Sequence, residues 1–318
     1  MLGLFLNVVL IAAGFALLAK GGDILVEGAS AVAKRFNVSD LVIGLTVVAL
    51  GTSAPELAVS LVSAIRGSSE IVIGNVLGSN IANLCLVLGG AGLLAPIAIG
   101  RGTVWREIPF CTGTAVLLAV LTLAGSGPVL ITRPEACFLL AGLAAYLLYM
   151  RTIATQGPDL PDVTPHAMRP ATALLLIALG ITGLAFGGEL IVRNSIVLAR
   201  HFGVSQTLIG VTIVAIGTSL PELATSFAAV VKGKPDIAVG NVVGSNILNT
   251  TLVLGVAGLL RPIEASPLLS IDATVALAAT LVLFLFMFTG KRRSLDRWES
   301  ALLLTAYAAY MVYVFWRR

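Results

Sequence analysis

The sequence predicts an all-α integral membrane fold, ten transmembrane helices arranged as two inverted five-helix repeats. Three observations lead there: an extreme apolar composition, ten apolar runs separated by short polar breaks, and a gapless internal duplication. Of 318 residues, 58% are hydrophobic and only 11% charged, with a mean hydropathy of +1.01. Soluble domains carry about 25% charged residues, so this chain calls for an apolar solvent. A hydrocarbon core of about 30 Å takes roughly 20 apolar residues per helix. The length therefore allows ten spans with short loops and leaves no room for a soluble domain between them.

The spans fall at roughly 3–33, 40–65, 70–94, 103–125, 132–151, 170–200, 205–231, 236–260, 268–289 and 297–316. The first and sixth are long and polar in their second halves, which predicts tilt or extension past the bilayer. Leu2 to Ala19 lacks a basic leader and a cleavage site and reads as a first transmembrane helix, not a removed signal peptide. The one sizeable linker, 152–169, holds Pro158, Pro161, Pro165, two Asp and His166. It divides a first five-helix unit, 1–151, from a second, 170–318. Cys85, Cys111 and Cys137 lie in apolar stretches without CxxC spacing. They support neither a disulfide framework nor a metal cluster, and are expected to be buried small apolar residues.

The duplication decides the topology. A shift of 166 residues lays Gly22–Ile97 on Gly188–Ile263 without a gap, and 39 of the 76 positions are identical. GTSAPELA (51–58) matches GTSLPELA (217–224), and GNVLGSNIANLCLVLG (74–89) matches GNVVGSNILNTTLVLG (240–255). An amphipathic pattern recurring by chance would not keep Gly, Pro, Asn and Glu in register. The shift spans five helices, an odd number, so the copies enter the membrane in opposite orientation. Inverted repeats interrupted by polar residues at matching points characterise secondary transporters. The formal charge of +4 sits largely in loops after the odd-numbered helices, as at Lys34, Arg35, Lys232 and Lys234. The positive-inside rule then places both termini outside.

Glu56 and Glu222 carry the strongest chemical signal. Each lies mid-span, where a charge costs at least ~2.5–3.5 kcal/mol on insertion scales. Two of them at matched positions imply compensation by cations, protons or a wet cavity. Pro55 and Pro221 each remove a backbone donor, and Gly51 and Gly217 permit a loosened backbone. Carbonyls at Ala49, Thr52, Ala215 and Thr218 are thereby candidates to face a cavity. Thr52 and Ser53 precede Glu56 by four and three residues, sharing its helix face, as Thr218 and Ser219 do before Glu222. In the next span of each half, Ser79 and Asn83, and Ser245 and Asn249, form a second wall. Such hard oxygens suit Na⁺, Ca²⁺ or Mg²⁺ over soft metals. Asn75, Asn80, Asn241 and Asn246 are expected to serve in part for packing. The Gly74/Gly78 and Gly240/Gly244 pairs read as close helix contacts.

Asp23 and Glu189 match across the repeats near water, as gate residues or as solvated helix positions. Glu27 aligns with Arg193, so that position is not symmetric. His166 and His201 both lie near loops, and no HExxH is present, which leaves a histidine-based intramembrane hydrolase unsupported.

These blocks resemble the calcium/cation antiporter superfamily, in particular the prokaryotic sodium/calcium exchangers. GTSAPE with GNVLGSNIAN, and GTSLPE with GNVVGSNILN, are similar to that family's two α-repeats, and the resemblance covers nearly the whole chain. It implies exchange of several Na⁺ for one Ca²⁺ by alternating access, with the first and sixth helices sliding past a rigid core. Carried over by position, it implies ion ligands at Thr52, Ser53, Glu56, Ser79 and Asn83, and at Thr218, Ser219, Glu222, Ser245 and Asn249. Backbone carbonyls of Ala49 and Ala215 look like Na⁺ ligands in the same scheme. Prokaryotic members often carry Asp where this chain has Asn249, so the cage holds two carboxylates in place of three. No cofactor is expected, and the expected partners are transported cations and the lipid bilayer, with no nucleic acid and no obligate protein partner.

Two other readings remain at the level of sequence. In cation/proton antiport, Glu56 and Glu222 would alternate between metal and proton. A passive channel is a different class, against which the inverted halves argue. An enzyme is not expected, because no nucleophile–base pair appears.

Overall fold

The computed structural model describes residues 2–124, 129–154, 168–203, 215–264 and 269–316. Most of the predicted linker, His166 included, and the first part of the seventh predicted span lie outside the described residues. The chain forms helices α1 (Leu2–Arg35), α2 (Asp40–Thr52), α3 (Ala54–Arg66), α4 (Ser69–Leu94), α5 (Arg101–Trp105), α6 (Glu107–Ala124) and α7 (Arg133–Ala154). The second half contributes α8 (Pro170–His201), α9 (Ala215–Thr218), α10 (Leu220–Val231), α11 (Pro235–Leu260), α12 (Leu269–Phe286) and α13 (Arg297–Trp316). Among the described residues, eight helical segments are long and apolar enough to cross a bilayer, and α2 with α3 forms a ninth, bent by 46°. α10 is a shorter apolar helix.

Local chemistry sets the boundaries. The Ser39 hydroxyl accepts from Val42 N–H at 3.3 Å and caps α2. Gly67, at φ +77°, ends α3 in the left-handed conformation. Between α2 and α3 the helix breaks at Ser53, two residues before Pro55, which has no N–H to continue the ladder. The same break recurs at Ser219 before Pro221.

Among the described residues, three spans contain a wider, π-helical turn: Gly44–Val48 in α2, Ala82–Leu88 in α4 and Asn249–Val253 in α11. Such turns leave carbonyls short of a partner. In α2 the buried Tyr146 hydroxyl of α7 donates to Leu45 O at 2.9 Å.

α4 and α11 are the most buried helices and form the centre. α11 approaches α2 closely because Gly240 and Gly244 carry no side chain. A methyl at either would lie 2.7 Å from Leu41 O or Leu45 O. This bears out the close-contact reading for that pair. Gly74 and Gly78 meet nothing within 4 Å. The segment equivalent to the α2 face is 210–215, mostly outside the described residues.

α1 and α8 run antiparallel along a seam of small residues. Gly14 abuts Gly187 and Ile191, Gly21 abuts Gly180 and Leu184, and Gly28 abuts Ala173 and Ile177. A methyl added at any of the three α1 glycines would lie within 3.0 Å of both neighbours named for it. Two short antiparallel ladders tie the halves together: β1 (Ile97–Ala98) with β4 (Ser294–Leu295), and β2 (Val129–Ile131) with β3 (Ile263–Glu264). Cys85 and Cys111 are buried as expected. Cys137 is not: it is exposed on α7 beside exposed Phe138, on an apolar outer face suited to lipid.

Candidate ion-binding site

The helix breaks and the π-turns converge at the centre. Glu56 and Glu222 sit in the first turns of α3 and α10, directly after the breaks, and both are fully buried. Each carboxylate is held by hydroxyls from both halves. Ser79 Oγ of α4 donates to Glu56 Oε1 at 3.3 Å, and Thr218 reaches the same carboxylate from the other half. Ser245 Oγ of α11 donates to Glu222 Oε1 at 3.4 Å, Ser53 Oγ donates from the first half at 3.1 Å, and Thr52 is also within reach. The two carboxylates are close enough to interact electrostatically.

Four asparagines cross the interface beside them. Asn83 Nδ2 donates to Asn246 Oδ1 at 3.1 Å, and its repeat equivalent Asn249 Nδ2 donates to Asn80 Oδ1, also at 3.1 Å. Asn83 belongs to the π-turn of α4, and Asn249 opens that of α11. Their amide orientations leave both Oδ1 atoms without a hydrogen-bond partner in fully buried surroundings. Glu56 Oε2, Glu222 Oε2 and Ser219 Oγ are likewise buried and unpartnered. Leaving such atoms unmatched costs about 1–3 kcal/mol each, more when charged. Buried oxygens of this kind, on helices that meet at the two carboxylates, are hard donors suited to cations. Among the described residues no Lys, Arg or His is buried, so no basic side chain offsets the two carboxylates.

The predicted ligands Thr52, Ser53, Glu56, Ser79, Asn83, Thr218, Ser219, Glu222, Ser245 and Asn249 are thus all buried, on the breaks or on the facing walls of α4 and α11. Ala49 O is not free. It accepts from Ser53 N–H at 3.0 Å and lies 3.3 Å from Thr52 Oγ1. In the second half the corresponding donor, Ser219 N–H, bonds to Ile216 O at 3.1 Å.

Sequence reasoning passed over a supporting pair. Asn75 Nδ2 donates to Glu56 O at 3.1 Å and to Ser60 Oγ at 2.9 Å; Asn241 Nδ2 repeats this with Glu222 O at 3.4 Å and Ser226 Oγ at 3.1 Å. Ser60 and Ser226 were findable: they are identical under the 166-residue shift and follow each Glu by one turn. Asp23 lies away from the cage and pairs with Lys232, while Glu189 is exposed. His201, at the end of α8, contacts Phe202 and takes no part.

Comparison with known proteins identifies the family. The family model described as sodium/calcium exchanger protein matches residues 6–152 and 172–316. CaxA of Alkalimonas amylolytica is 41% identical over 95% of this chain and 96% of its own length. The sodium/calcium exchanger MaX1 of Methanosarcina acetivorans is 33% identical over 98% of this chain and 99% of its own. A solved structure of the sodium-calcium exchanger NCX_Mj superposes with a TM-score of 0.83 at 31% identity, covering 98% of this chain and 99% of that one. With two buried carboxylates at matched helix breaks and similarity along nearly its whole length, the chain belongs to the sodium/calcium exchanger family.

Proposed function

We propose that the chain exchanges Na⁺ for Ca²⁺ across a membrane by alternating access, at the cage around Glu56 and Glu222. The observation that carries this reading is the pair of fully buried carboxylates, each with one unpartnered oxygen, together with the buried, unpartnered Asn83 and Asn249 carbonyls. Two negative charges in a dry site need positive charge to offset them. One Ca²⁺ or two Na⁺ match that charge, so the two ions compete for one set of oxygens. Competition of this kind couples their movements.

In this reading the ligands are Thr52, Ser53, Glu56, Ser79 and Asn83 with their equivalents Thr218, Ser219, Glu222, Ser245 and Asn249. The Ala215 carbonyl joins them more readily than that of Ala49, which already has two donors. The bent pair α2–α3 and the segment ending in α10 each count as one span, completing ten helices in two inverted repeats. Both termini then lie outside. The chain is a transporter, not an enzyme, and needs no cofactor.

The test is radiolabelled Ca²⁺ flux in proteoliposomes under separately imposed Na⁺, K⁺ and pH gradients. Flux driven by Na⁺ alone and lowered about a hundredfold by Glu56→Gln or Glu222→Gln supports the reading. Flux driven by a pH gradient without Na⁺ supports cation/proton antiport instead. Flux indifferent to both substitutions overturns the site.

A further inference from the structure

The two halves are alike in sequence but not in packing. Gly22 of α1 lies against α10, where a methyl would sit 2.9 Å from Ala224 O. Its repeat equivalent, Gly188 of α8, has no such neighbour, and its nearest contact is Gly217 O at 3.8 Å. α1 packs along α10, whereas α8 makes at most sparse contact with α3, the equivalent of α10. The long helix α1 therefore covers α10, whereas α8 does not lie along α3 in the same way.

An ion pair sits on the covered face. Lys232 Nζ, just past α10, lies 3.5 Å from Asp23 Oδ1 and donates to Asp23 O at 2.7 Å. The 166-residue shift carries Asp23 onto Glu189 and Lys232 onto Arg66, so acid faces acid and base faces base across the repeats. Glu189 and Arg66 are both exposed, and neither has an ion-pair partner among the described residues. Asp23–Lys232 thus joins the long helix of one half to a helix end of the other, and Glu189 and Arg66 occupy the equivalent positions.

We infer that Asp23–Lys232 and Glu189–Arg66 are alternating latches, one closing each face of the cage. When α1 and α8 shift to cover the opposite face, Gly188 takes the place against α3 that Gly22 holds against α10. Glu189 then meets Arg66, and Asp23 parts from Lys232. Side-chain exposures of 33% for Lys232 and 48% for Asp23 make the existing pair weak. Weakness suits the role. Two latches of similar small strength cancel between the two states and leave the bound ions to set the balance. The inference rests on the alternating-access reading above, and its test separates the two.

The experiment uses full-length protein with Cys137→Ser, in proteoliposomes. Two double variants are compared, Asp23→Cys with Lys232→Cys and Glu189→Cys with Arg66→Cys, treated with a short bifunctional methanethiosulfonate, which links the thiols through reducible disulfides. Both variants transport when reduced. Each cross-link stops flux and reduction restores it, and in the fourfold variant either cross-link excludes the other. Lys232→Gln in the Glu189→Cys, Arg66→Cys background raises that cross-link's yield by about two- to fivefold, the scale of a partly exposed ion pair. A 66/189 pair that never cross-links in a transporting variant overturns the inference, as do both cross-links forming in one molecule or an unchanged yield with Lys232→Gln. If the unmodified chain shows no Na⁺-dependent Ca²⁺ flux, the functional reading fails, while the cross-links still report whether the two faces alternate.

Discussion

The first half of the cage is knit more tightly than the second. Ser53 gives its hydroxyl to Glu222, while Ser219, its equivalent, is buried without a partner. Ser53 N–H continues to Ala49 O, while Ser219 N–H shortens its step to Ile216 O. Gly22 is packed and Gly188 is loose. The residues compared are the same in both halves, so the differences lie in their surroundings and in the arrangement of the helices. The differences belong to the one conformational state described, and because the matched motif residues are the same in both halves, a mirrored arrangement is open to the same sequence. Alternation between two such states needs no special hinge chemistry, only a repeat that is not bound to one arrangement.

The largest expected effect ignores the asymmetry. Glu56→Gln and Glu222→Gln each lower exchange by about a hundredfold, the scale of removing a buried charge partner. Equal losses in a flux assay support a shared cage; a loss confined to one would split it into two unlike sites. Next come the glycines, where the comparison is sharpest. Gly22→Ala forces a methyl against Ala224 O and costs about 1–3 kcal/mol in this state, lowering the melting temperature. Gly188→Ala has room and gains up to about 1 kcal/mol of helix propensity. Both slow transport if the mirrored state is used, and unimpaired flux in Gly188→Ala counts against it.

Smaller still is Asn249→Asp, which adds a third carboxylate on one side only. It is expected to tighten Ca²⁺ binding by about tenfold, ~1.4 kcal/mol; unchanged apparent affinity and coupling would show that the amide and the acid are equivalent there. The smallest difference is between hydroxyls. Ser53→Ala loses a hydrogen bond and costs about 1 kcal/mol of stability, whereas Ser219→Ala removes an unpartnered group and costs less than about 0.5 kcal/mol. Equal shifts in thermal unfolding would mean that the protein spends comparable time in both states.

Much of this was legible beforehand because the repeat records it. The 166-residue register located Glu56, Glu222 and their hydroxyl and amide neighbours without any knowledge of the fold, and the break before each Pro follows from its missing N–H. The π-turns were not legible. Asn83 and Asn249 occupy ordinary helical patterns, and the wider turn reflects how α4 and α11 fit their neighbours. The same holds for Ser60 and Ser226, whose spacing from Glu is visible but whose acceptance of Asn75 and Asn241 amides depends on the crossing of α3 with α4 and of α10 with α11. Cys137 was misjudged because, in a bilayer, an apolar residue can equally well face out. The packing asymmetry could not be read at all, since one sequence serves both states.

The contacts that join the two halves have a common form. The Asn83–Asn246 and Asn249–Asn80 bonds are equivalent to each other under the 166-residue shift, with the partners exchanged between the halves, and so are the Gly14–Gly187 and Gly21–Gly180 crossings. That is the rule of an isologous dimer interface. Under the inverted five-helix reading proposed above, two separate copies of one unit, inserted in opposite directions, meet through these same surfaces before any gene fusion joins them. Fusion would then have freed each copy to drift, and the sites where this chain departs from its own symmetry, such as Glu27 against Arg193, record how far that specialisation has gone.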